Sequence, residues 1–463
     1  MTYDLVIANG TLVSPEGVMD ADIGVINDII AAIGNDLGDA HETIDASGKL
    51  VLPGGIDSHV HLDQPTAPGL VMGDDFASGT RSAVWGGNTT VLPFCQQRPG
   101  EGLRTALKEY HGRAEGSCYC DVSFHLIITD PTPQVLGQEL PALLRDGYNS
   151  LKVYMTYEDL ALSDYQILEV MNVARDTGAL VMVHAENFDA IRFRDKQFEQ
   201  QGKTAMVYHA KSRPIIVERE ATHRAISLAE LMDVPVMIVH VSNGQAIEEI
   251  RRARARGAKV YGETCPQYLV LTEQDLETDP AQGYICSPPP RDVASQNDCW
   301  DGIRDGVFDV FSSDHCPYRM DETGKLNPES SKGYRWVPNG IPGIETRLPI
   351  LFSEGVSKGR IDIMRFVDLT ATAPAKLYGL YPRKGTIAVG ADADIAIWDP
   401  HQTRRIRQAD LHHGCDYTPY EGLEITGWPV TTVVRGRIMV HEGELVGEPG
   451  WGIHLPRMAG AAH

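Results

Sequence analysis

Pro53-Gly54-Gly55-Ile56-Asp57-Ser58-His59-Val60-His61 is the stretch from which the rest of the chain can be interpreted. A proline and two glycines interrupt the backbone, and an extended run follows them. Residues two apart on a strand face the same way, so His59 and His61 can direct two imidazoles at one point. That arrangement suits a metal site. It also suits a half-buried strand with two polar residues on its outer face, so the remaining ligands must decide between these interpretations.

Composition narrows the class of protein. The 463 residues predict one large domain with a small one, or two to three domains. Lysine and arginine total 41 against 63 aspartates and glutamates, and the net charge of −22 argues against nucleic acid or an anionic membrane as a partner.

The sequence shows neither a signal peptide nor a long apolar run, so a cytoplasmic location is expected. The eight cysteines lack paired zinc spacing and are expected to be reduced.

The central part of the chain, residues 53–383, alternates apolar strand-like runs with helical stretches. This pattern is typical of β/α units around a parallel sheet. Eight strands are expected, namely the opening stretch to His61, Asn88–Phe94, Val122–Thr129, Ser150–Thr156, Leu180–Glu186, Val236–Ser242, Lys259–Thr264 and Val310–Asp314. We therefore predict an α/β protein with a (β/α)₈ TIM barrel, whose chemistry lies at the carboxyl ends of its strands.

The two ends of the chain have a different texture, with short apolar runs separated by turn residues. Residues 1–52 and 384–463 are predicted to form one β-sheet domain into which the barrel, 53–383, is inserted. Near the start, Leu5-Val6-Ile7 leads into Asn9-Gly10, a dipeptide that favours a β-hairpin.

Metal-binding or ionisable side chains stand at five of the eight expected strand ends. They are His59 and His61 on strand one, Lys152 on strand four, His184 on strand five, His240 on strand six and Asp314 on strand eight. A single histidine at the end of an apolar strand usually has no ligand role, but this repetition predicts one shared metal site. Four neutral imidazoles and a carboxylate suit zinc or a similar ion.

Lys152 is the unexpected member of this set. A cationic ammonium beside two divalent ions is unfavourable, and burial favours the neutral amine. A neutral amine can capture carbon dioxide as a carbamate, whose negative charge and two oxygens suit a bridge between metals. The alternative is a strand lysine that pairs with a nearby acid, and the residues alone leave both interpretations open.

The sequence resembles a known family, the cyclic amidohydrolases of the amidohydrolase superfamily. It is most similar to the D-hydantoinase/dihydropyrimidinase group, over essentially the whole chain. The resemblance rests on a joint set of motifs: 53–61, Ser150-Leu151-Lys152-Val153-Tyr154-Met155, Val183-His184-Ala185-Glu186-Asn187, Val239-His240-Val241-Ser242, Glu263-Thr264-Cys265-Pro266, Ser287-Pro288-Pro289, Ser312-Ser313-Asp314-His315-Cys316 and Pro338-Asn339-Gly340.

The resemblance implies a TIM barrel with a small β-sandwich domain built from both chain ends, the second including a C-terminal tail. It implies two divalent metal ions per subunit, with zinc expected, and a carboxylated Lys152 (N6-carboxylysine) between them. Residues His59, His61 and Asp314 would bind one ion, and His184 and His240 the other. A homotetramer and a part in pyrimidine catabolism are also implied.

The resemblance further implies how a cyclic amide would be opened to an N-carbamoyl amino acid. A hydroxide held between the metals attacks the ring carbonyl. Tyr157 stabilises the oxyanion, Asp314 carries the proton to the leaving nitrogen, and Ser287 and Asn339 hold the ring, largely through backbone groups. Without the resemblance, Tyr157 would be a loop aromatic, and Ser287 and Asn339 ordinary turn residues beside prolines.

Rival functions differ in the substrate or in the absence of catalysis. Dihydroorotases usually follow the paired histidines with an arginine for a substrate carboxylate, but here Leu62-Asp63-Gln64 follows, so a neutral ring is favoured. Allantoinase remains an alternative, and a non-catalytic scaffold related to dihydropyrimidinase is a remote one. The apolar loop 65–73 is expected to line the pocket for the ring substituent. Segment 318–336 is expected to be a lid or an oligomer contact. His125 is expected in the barrel interior or at its rim. His315 is expected to point to the opposite face of the strand from Asp314 in a packing role, with a turn of the adjacent loop towards substrate as the alternative.

Overall fold

The centre of the molecule is a parallel β-barrel. A computed structural model describes residues 2–458, and the last part of the predicted C-terminal tail, residues 459–463, lies outside them. The barrel strands are β8 (Gly55–Val60), β9 (Asn88–Gln96), β10 (Asp121–Val122), β11 (His125–Ile127), β12 (Ser150–Tyr154), β13 (Leu180–His184), β14 (Val236–Ile238), β15 (Val260–Thr264) and β16 (Val310–Phe311); seven strands outside the barrel, β1 to β7, precede them and are given below. Every neighbouring pair along this path is parallel. Both faces of the barrel strands are buried, and strands such as β13 are almost entirely apolar, as the sequence predicted.

The barrel has eight staves and closes on itself. The third predicted strand, Val122–Thr129, is interrupted and appears as the two short strands β10 and β11, both paired with β9. The last stave meets the first through a parallel bridge between Val60 and His315, and the His61 backbone N–H donates to the His315 carbonyl at 2.7 Å. The predicted (β/α)₈ barrel is therefore confirmed.

Helices surround the barrel. They are α1 (Phe76–Trp85), α2 (Leu103–Ala114), α3 (Leu140–Arg145), α4 (Asp164–Thr177), α5 (Phe188–Gln200), α6 (Tyr208–Ser212), α7 (Ile215–Met232), α8 (Gly244–Ala255), α9 (Gln267–Val270), α10 (Val293–Arg304), α11 (Arg347–Leu351), α12 (Ile363–Val367) and α13 (Ala373–Leu377). Short 3₁₀ or π segments cover Val135–Glu139, Glu273–Glu277, Ala281–Tyr284, Pro328–Lys332, Tyr334–Trp336, Phe352–Ser357, Asp368–Thr372 and Gln408–Asp410.

Helix ends follow ordinary capping chemistry. The α1 helix begins after Asp75, whose side chain accepts from the Ser78 backbone N–H in a capping box, and α8 begins after Asn243, which accepts from two backbone N–H groups. No helix within 2–458 has both the length and the apolar character needed to cross a bilayer.

The chain ends form two further sheets. Their strands are β1 (Tyr3–Ala8), β2 (Thr11–Ser14), β3 (Gly17–Asp20), β4 (Asp22–Ile26), β5 (Ile29–Gly34), β6 (Ala40–Asp45), β7 (Leu50–Pro53), β17 (Ile395–Arg405), β18 (Glu424–Val434), β19 (Arg437–His441) and β20 (Glu444–Leu445). One sheet has the order β5-β4-β1-β6 and the other β20-β19-β18-β17-β7-β2-β3. They share one apolar core, to which both chain ends contribute Ile7, Val51, Ile395 and Val433 among others. The small β-domain from both ends is thus confirmed, while its exact limits at 52 and 384 stay a prediction.

The hairpin predicted at Asn9-Gly10 is wrong. Strand β1 pairs with β4 and β6, whereas β2 pairs with β3 and β7, so the turn carries the chain from one sheet to the other. Asn9 does have the positive φ that such a turn requires, 62°. The local turn preference was right, but the strand partners are chosen by distant parts of the chain.

A buried ion cluster joins the β-domain to the barrel. The Lys384 ammonium lies 2.6 Å from Asp121 on β10, 2.7 Å from Asp394 and 2.9 Å from Asp392. Arg435 at the end of β18 also reaches Asp121, at 3.1 Å. Arg383 also lies 2.8 Å from Asp392. Three buried carboxylates therefore depend on three cations, and the cluster stabilises the junction only while it is complete.

We expect Lys384→Met to lower the free energy of unfolding by about 3–5 kcal/mol, because it leaves buried carboxylates without their main partner. Urea unfolding followed by tryptophan fluorescence measures the loss. Lys108→Met, which removes an exposed lysine from α2, is the matched control. A loss for Lys384→Met that equals the control would contradict this account of the junction.

Candidate metal centre

The predicted ligands meet at the carboxyl ends of the barrel strands. All six are buried: His59, His61, Lys152, His184, His240 and Asp314. The ring centres of His59 and His61 are 5.5 Å apart, those of His59 and His240 5.4 Å, and those of His184 and His240 4.4 Å. Residues from five strands thus surround one small volume, as the strand-end rule predicted.

Asp314 contacts both His59, on strand β8, and His61, which directly follows that strand. Its Oδ1 lies 3.0 Å from His59 Nε2 and 3.4 Å from His61 Nε2. His59, His240 and Asp314 each offer one possible ligand atom, and these three atoms lie within 4.8 Å of one another. Burial alone would raise the pKa of Asp314, but the charge and hydrogen bonds of the neighbouring histidines hold it well below its usual range. Asp314 is therefore a carboxylate ready to bind a cation.

Second partners fix the orientation of these imidazoles. His59 Nδ1 lies 2.6 Å from Glu263 Oε1, and His61 Nδ1 lies 2.5 Å from Gln64 Oε1. Both rings therefore present Nε2 towards Asp314. An acceptor on one ring nitrogen with the other directed inwards is the arrangement that metal-binding histidines show.

The second pair of histidines also has glutamate partners, one at the ring of His184 and one at the backbone of His240. His184 Nε2 lies 2.8 Å from Glu186, and the His240 backbone N–H donates to Glu263 at 3.1 Å. Burial lowers the pKa of His184 and, much further, that of His240. Neutral imidazoles are the form that binds metal ions.

Lys152 is an amine without a partner. Its side chain is fully buried, and within the described chain its Nζ makes no hydrogen bond. The rings of Phe94 and Tyr154 lie close by, with their centres 4.8 Å and 5.1 Å from Nζ. Burial lowers the pKa of Lys152 to about 8. A buried, partly neutral amine amid imidazoles and a carboxylate fits a centre in which it becomes anionic and binds cations.

The backbone is strained where the functional side chains leave their strands. His240 has φ 41°, Asp314 has φ 49° and Tyr157 has φ 71°. These are left-handed values that histidine, aspartate and tyrosine seldom adopt. Such residues gather at functional sites, where the surrounding structure holds them in place.

The residues expected to hold a substrate border this centre. The partly buried Tyr157 has its ring centre 5.2 Å from that of His184. Burial and then the charge of Glu186 raise the pKa of Tyr157, and the Ser287 hydroxyl lies near enough to oppose the rise. Asn339 is only partly buried, and its carbonyl accepts from Cys316 Sγ at 3.6 Å, two residues beyond Asp314. The structure thus places Tyr157 beside His184 and brings the segments that carry Ser287 and Asn339 together, since the Gly340 N–H donates to the Ile285 carbonyl at 3.0 Å.

Two other histidines lie outside the ligand group. His125 sits between the Ser150 hydroxyl at 2.5 Å and the Ser58 carbonyl at 2.9 Å, inside the barrel. His315 Nε2 lies 3.1 Å from Asp74, and its Nδ1 accepts from the Gly343 N–H. His125 therefore lies in the barrel interior and His315 has a packing role, as the sequence predicted.

A second group of possible ligands lies next to His315 and consists of Asp74, His413 and Cys415. Asp74 already accepts from His315 and, at 2.7 Å, from the Gly414 N–H. The Cys415 thiol donates to the Tyr318 carbonyl, and burial raises its pKa well above the usual value. These bonds make it a packing cluster.

Sequence reasoning missed the side chains that orient the ligands. Glu186 and Glu263 belong to motifs of the family resemblance, but no role was predicted for either. Gln64 entered only because no arginine follows His61. A signal existed for two of them: Glu186 follows His184 by two residues, and Glu263 lies at the end of strand seven, the position that supplies chemistry elsewhere in the barrel. Gln64 lies in an irregular loop, where spacing gives no such guide.

Known proteins resemble this chain along nearly its whole length. A D-hydantoinase from Rhizobium radiobacter is 44% identical over 449 residues, or 96% of this chain and 97% of the relative. A solved D-hydantoinase structure matches with a TM-score of 0.96 and 43% identity, covering 99% of both chains. The dihydropyrimidinase of Brevibacillus agri matches with a TM-score of 0.94 and 41% identity, covering 98% of both. The amidohydrolase family model matches residues 50–439, so the chain belongs to the amidohydrolase family.

Proposed function

We propose that this protein is a metal-dependent hydrolase that opens neutral cyclic amides, hydantoins or 5,6-dihydropyrimidines, to N-carbamoyl amino acids. The observation that carries the proposal is the convergence of His59, His61 and Asp314 on one point beside the unpartnered amine of Lys152. The names of the relatives, D-hydantoinase and dihydropyrimidinase, support this reaction class.

His59, His61 and Asp314 would bind one divalent ion, and His184 and His240 the second, with zinc the first candidate. Lys152, carboxylated by carbon dioxide, would lie between them. When bound, two such ions would lower the pKa of a water molecule and so supply the nucleophile at neutral pH. The lowered pKa and the missing hydrogen bonds of Lys152 support its carboxylation, since a carbamate would give the buried nitrogen an anionic, ligating form.

The remaining steps belong to groups of the chain itself. Asp314 takes a proton from the attacking water and passes it to the leaving ring nitrogen. Because burial keeps Tyr157 protonated, its hydroxyl can donate to the carbonyl oxygen as negative charge develops there. Ser287 and Asn339 would hold the opposite side of the ring.

The choice among rings rests on the missing arginine after His61 and on loop 65–73. In that loop Val71 is exposed and Leu70 and Met72 are half-buried, so contact with a ring substituent stays a prediction. Allantoinase is the competing candidate. A homotetramer, a cytoplasmic location, a part in pyrimidine catabolism and the domain limits 1–52, 53–383 and 384–463 also remain proposals of the sequence.

A substrate comparison tests the proposal. We expect zinc-reconstituted protein, assayed with bicarbonate present, to open 5-phenylhydantoin and dihydrouracil faster than allantoin, because loop 65–73 is apolar whereas the ureido substituent of allantoin is polar. Product formation is measured as N-carbamoyl amino acid. Allantoin as the fastest substrate would favour the competing candidate, and no ring opening with fewer than about one bound metal per chain would favour a scaffold.

We expect Tyr157→Phe to lower kcat about 100- to 1000-fold, the usual cost of one lost oxyanion donor. Metal content, measured by elemental analysis, should be unchanged. Tyr165→Phe, which removes the same hydroxyl from an exposed tyrosine of α4, is the control. A Tyr157→Phe enzyme with the kcat of the control would remove Tyr157 from the mechanism.

We expect Glu263→Gln to weaken metal binding by about 10- to 100-fold, because Glu263 orients both His59 and the backbone of His240. Metal retained after dialysis against graded chelator measures the change. Glu249→Gln breaks a surface pair with His223 of similar geometry, 2.9 Å, and is the matched control. Equal retention in both variants would count against Glu263 as a support of the centre.

A further inference from the structure

Segment 318–336, which the sequence left as a lid or an oligomer contact, directs one lysine into the protein. The Lys325 side chain is fully buried, although neighbouring residues of the segment are exposed. Its ammonium donates to the Ile285 carbonyl at 2.8 Å and to the Pro338 carbonyl at 2.7 Å. Within residues 2–458, no carboxylate oxygen lies within 4.0 Å of the Lys325 ammonium.

These two carbonyls belong to the pieces of chain that carry Ser287 and Asn339. Ile285 precedes Ser287 by two residues, and Pro338 directly precedes Asn339. The pieces also touch each other, since the Gly340 N–H donates to the Ile285 carbonyl at 3.0 Å. The Lys325 ammonium therefore closes a bridge between them and sets their separation.

A buried lysine without a carboxylate partner is costly. Burial lowers the pKa of Lys325 to about 8, which reports that the charged form is disfavoured there. An apolar side chain of the same length would avoid that cost. Two well-formed hydrogen bonds, both to backbone of the proposed ring-holding pieces, are what the lysine gains in return.

We propose that Lys325 is a positioning residue for the cyclic substrate, acting through the backbone at Ser287 and Asn339. The inference rests on the proposed function and extends it to a residue of segment 318–336. It makes this segment a support of the binding site. Since Lys325 touches neither the ligand group nor Tyr157, its loss should weaken ring binding more than the chemical step.

The test compares Lys325→Met with Lys332→Met in zinc-reconstituted protein. Methionine nearly keeps the length of the lysine side chain but donates nothing, and Lys332 is an exposed lysine of the same segment that pairs with Glu329. We expect Lys325→Met to raise KM for the best ring substrate about tenfold, the effect of roughly one lost hydrogen bond. Its kcat should stay within about threefold and its metal content should equal that of the control.

Other outcomes separate the alternatives. A purely structural lysine would lower Tm and kcat with KM unchanged, and that result overturns the inference. Should Lys325→Met not fold, Lys325→Gln carries the measurement, because its amide is one atom shorter and cannot reach both carbonyls; a KM equal to that of the wild type then overturns the inference. Wild-type protein that opens no ring would instead overturn the proposed function, and this inference with it.

Discussion

Pairing between the first and last staves of the barrel is the constraint on which the candidate site depends. Val60 bridges His315, and the backbone N–H of His61 donates to the same residue. This seam places His61 opposite Asp314, although the two lie far apart in the chain. Because side chains alternate along a strand, a shift of one residue at the seam would turn these ligands away from each other. The buried pair of His315 with Asp74 stabilises the seam from behind.

Strain at the strand ends follows from this geometry. Strand β14 ends at Ile238 and β16 at Phe311, so His240 and Asp314 lie beyond the regular ladder. Both adopt positive φ values, which turn their side chains towards the centre of the barrel mouth. Hydrogen bonds hold them there, including that from the His240 N–H to Glu263. The hydrogen-bonded strands are rigid, and the short irregular segments after them orient the side chains of His240 and Asp314.

The sequence predicted what depends on short spacing and could not predict what depends on distant contacts. His59, His184 and Asp314 end or follow apolar runs, and a parallel barrel brings all such ends to one face, so a pattern within each strand was enough. Asn9-Gly10 misled because its turn preference is local, whereas the pairing of β1 and β2 is decided by strands elsewhere. Lys325 gave no signal, since its role depends on two carbonyls brought near it by the fold.

The charge of the site gives a physical reason for it to bind cations. Glu186, Glu263 and Asp314 are all buried beside the histidines, and one oxygen of each glutamate has no hydrogen bond in the described chain. Burial disfavours this negative charge, yet the pKa of Asp314 and that of Glu186 are lowered by their histidine partners, so these carboxylates stay ionised. Lys152 cannot neutralise them by contact, because it reaches none of them. Divalent cations between the histidines would compensate the buried charge, and a carboxylated lysine would then be favoured by the same cations that disfavour an ammonium.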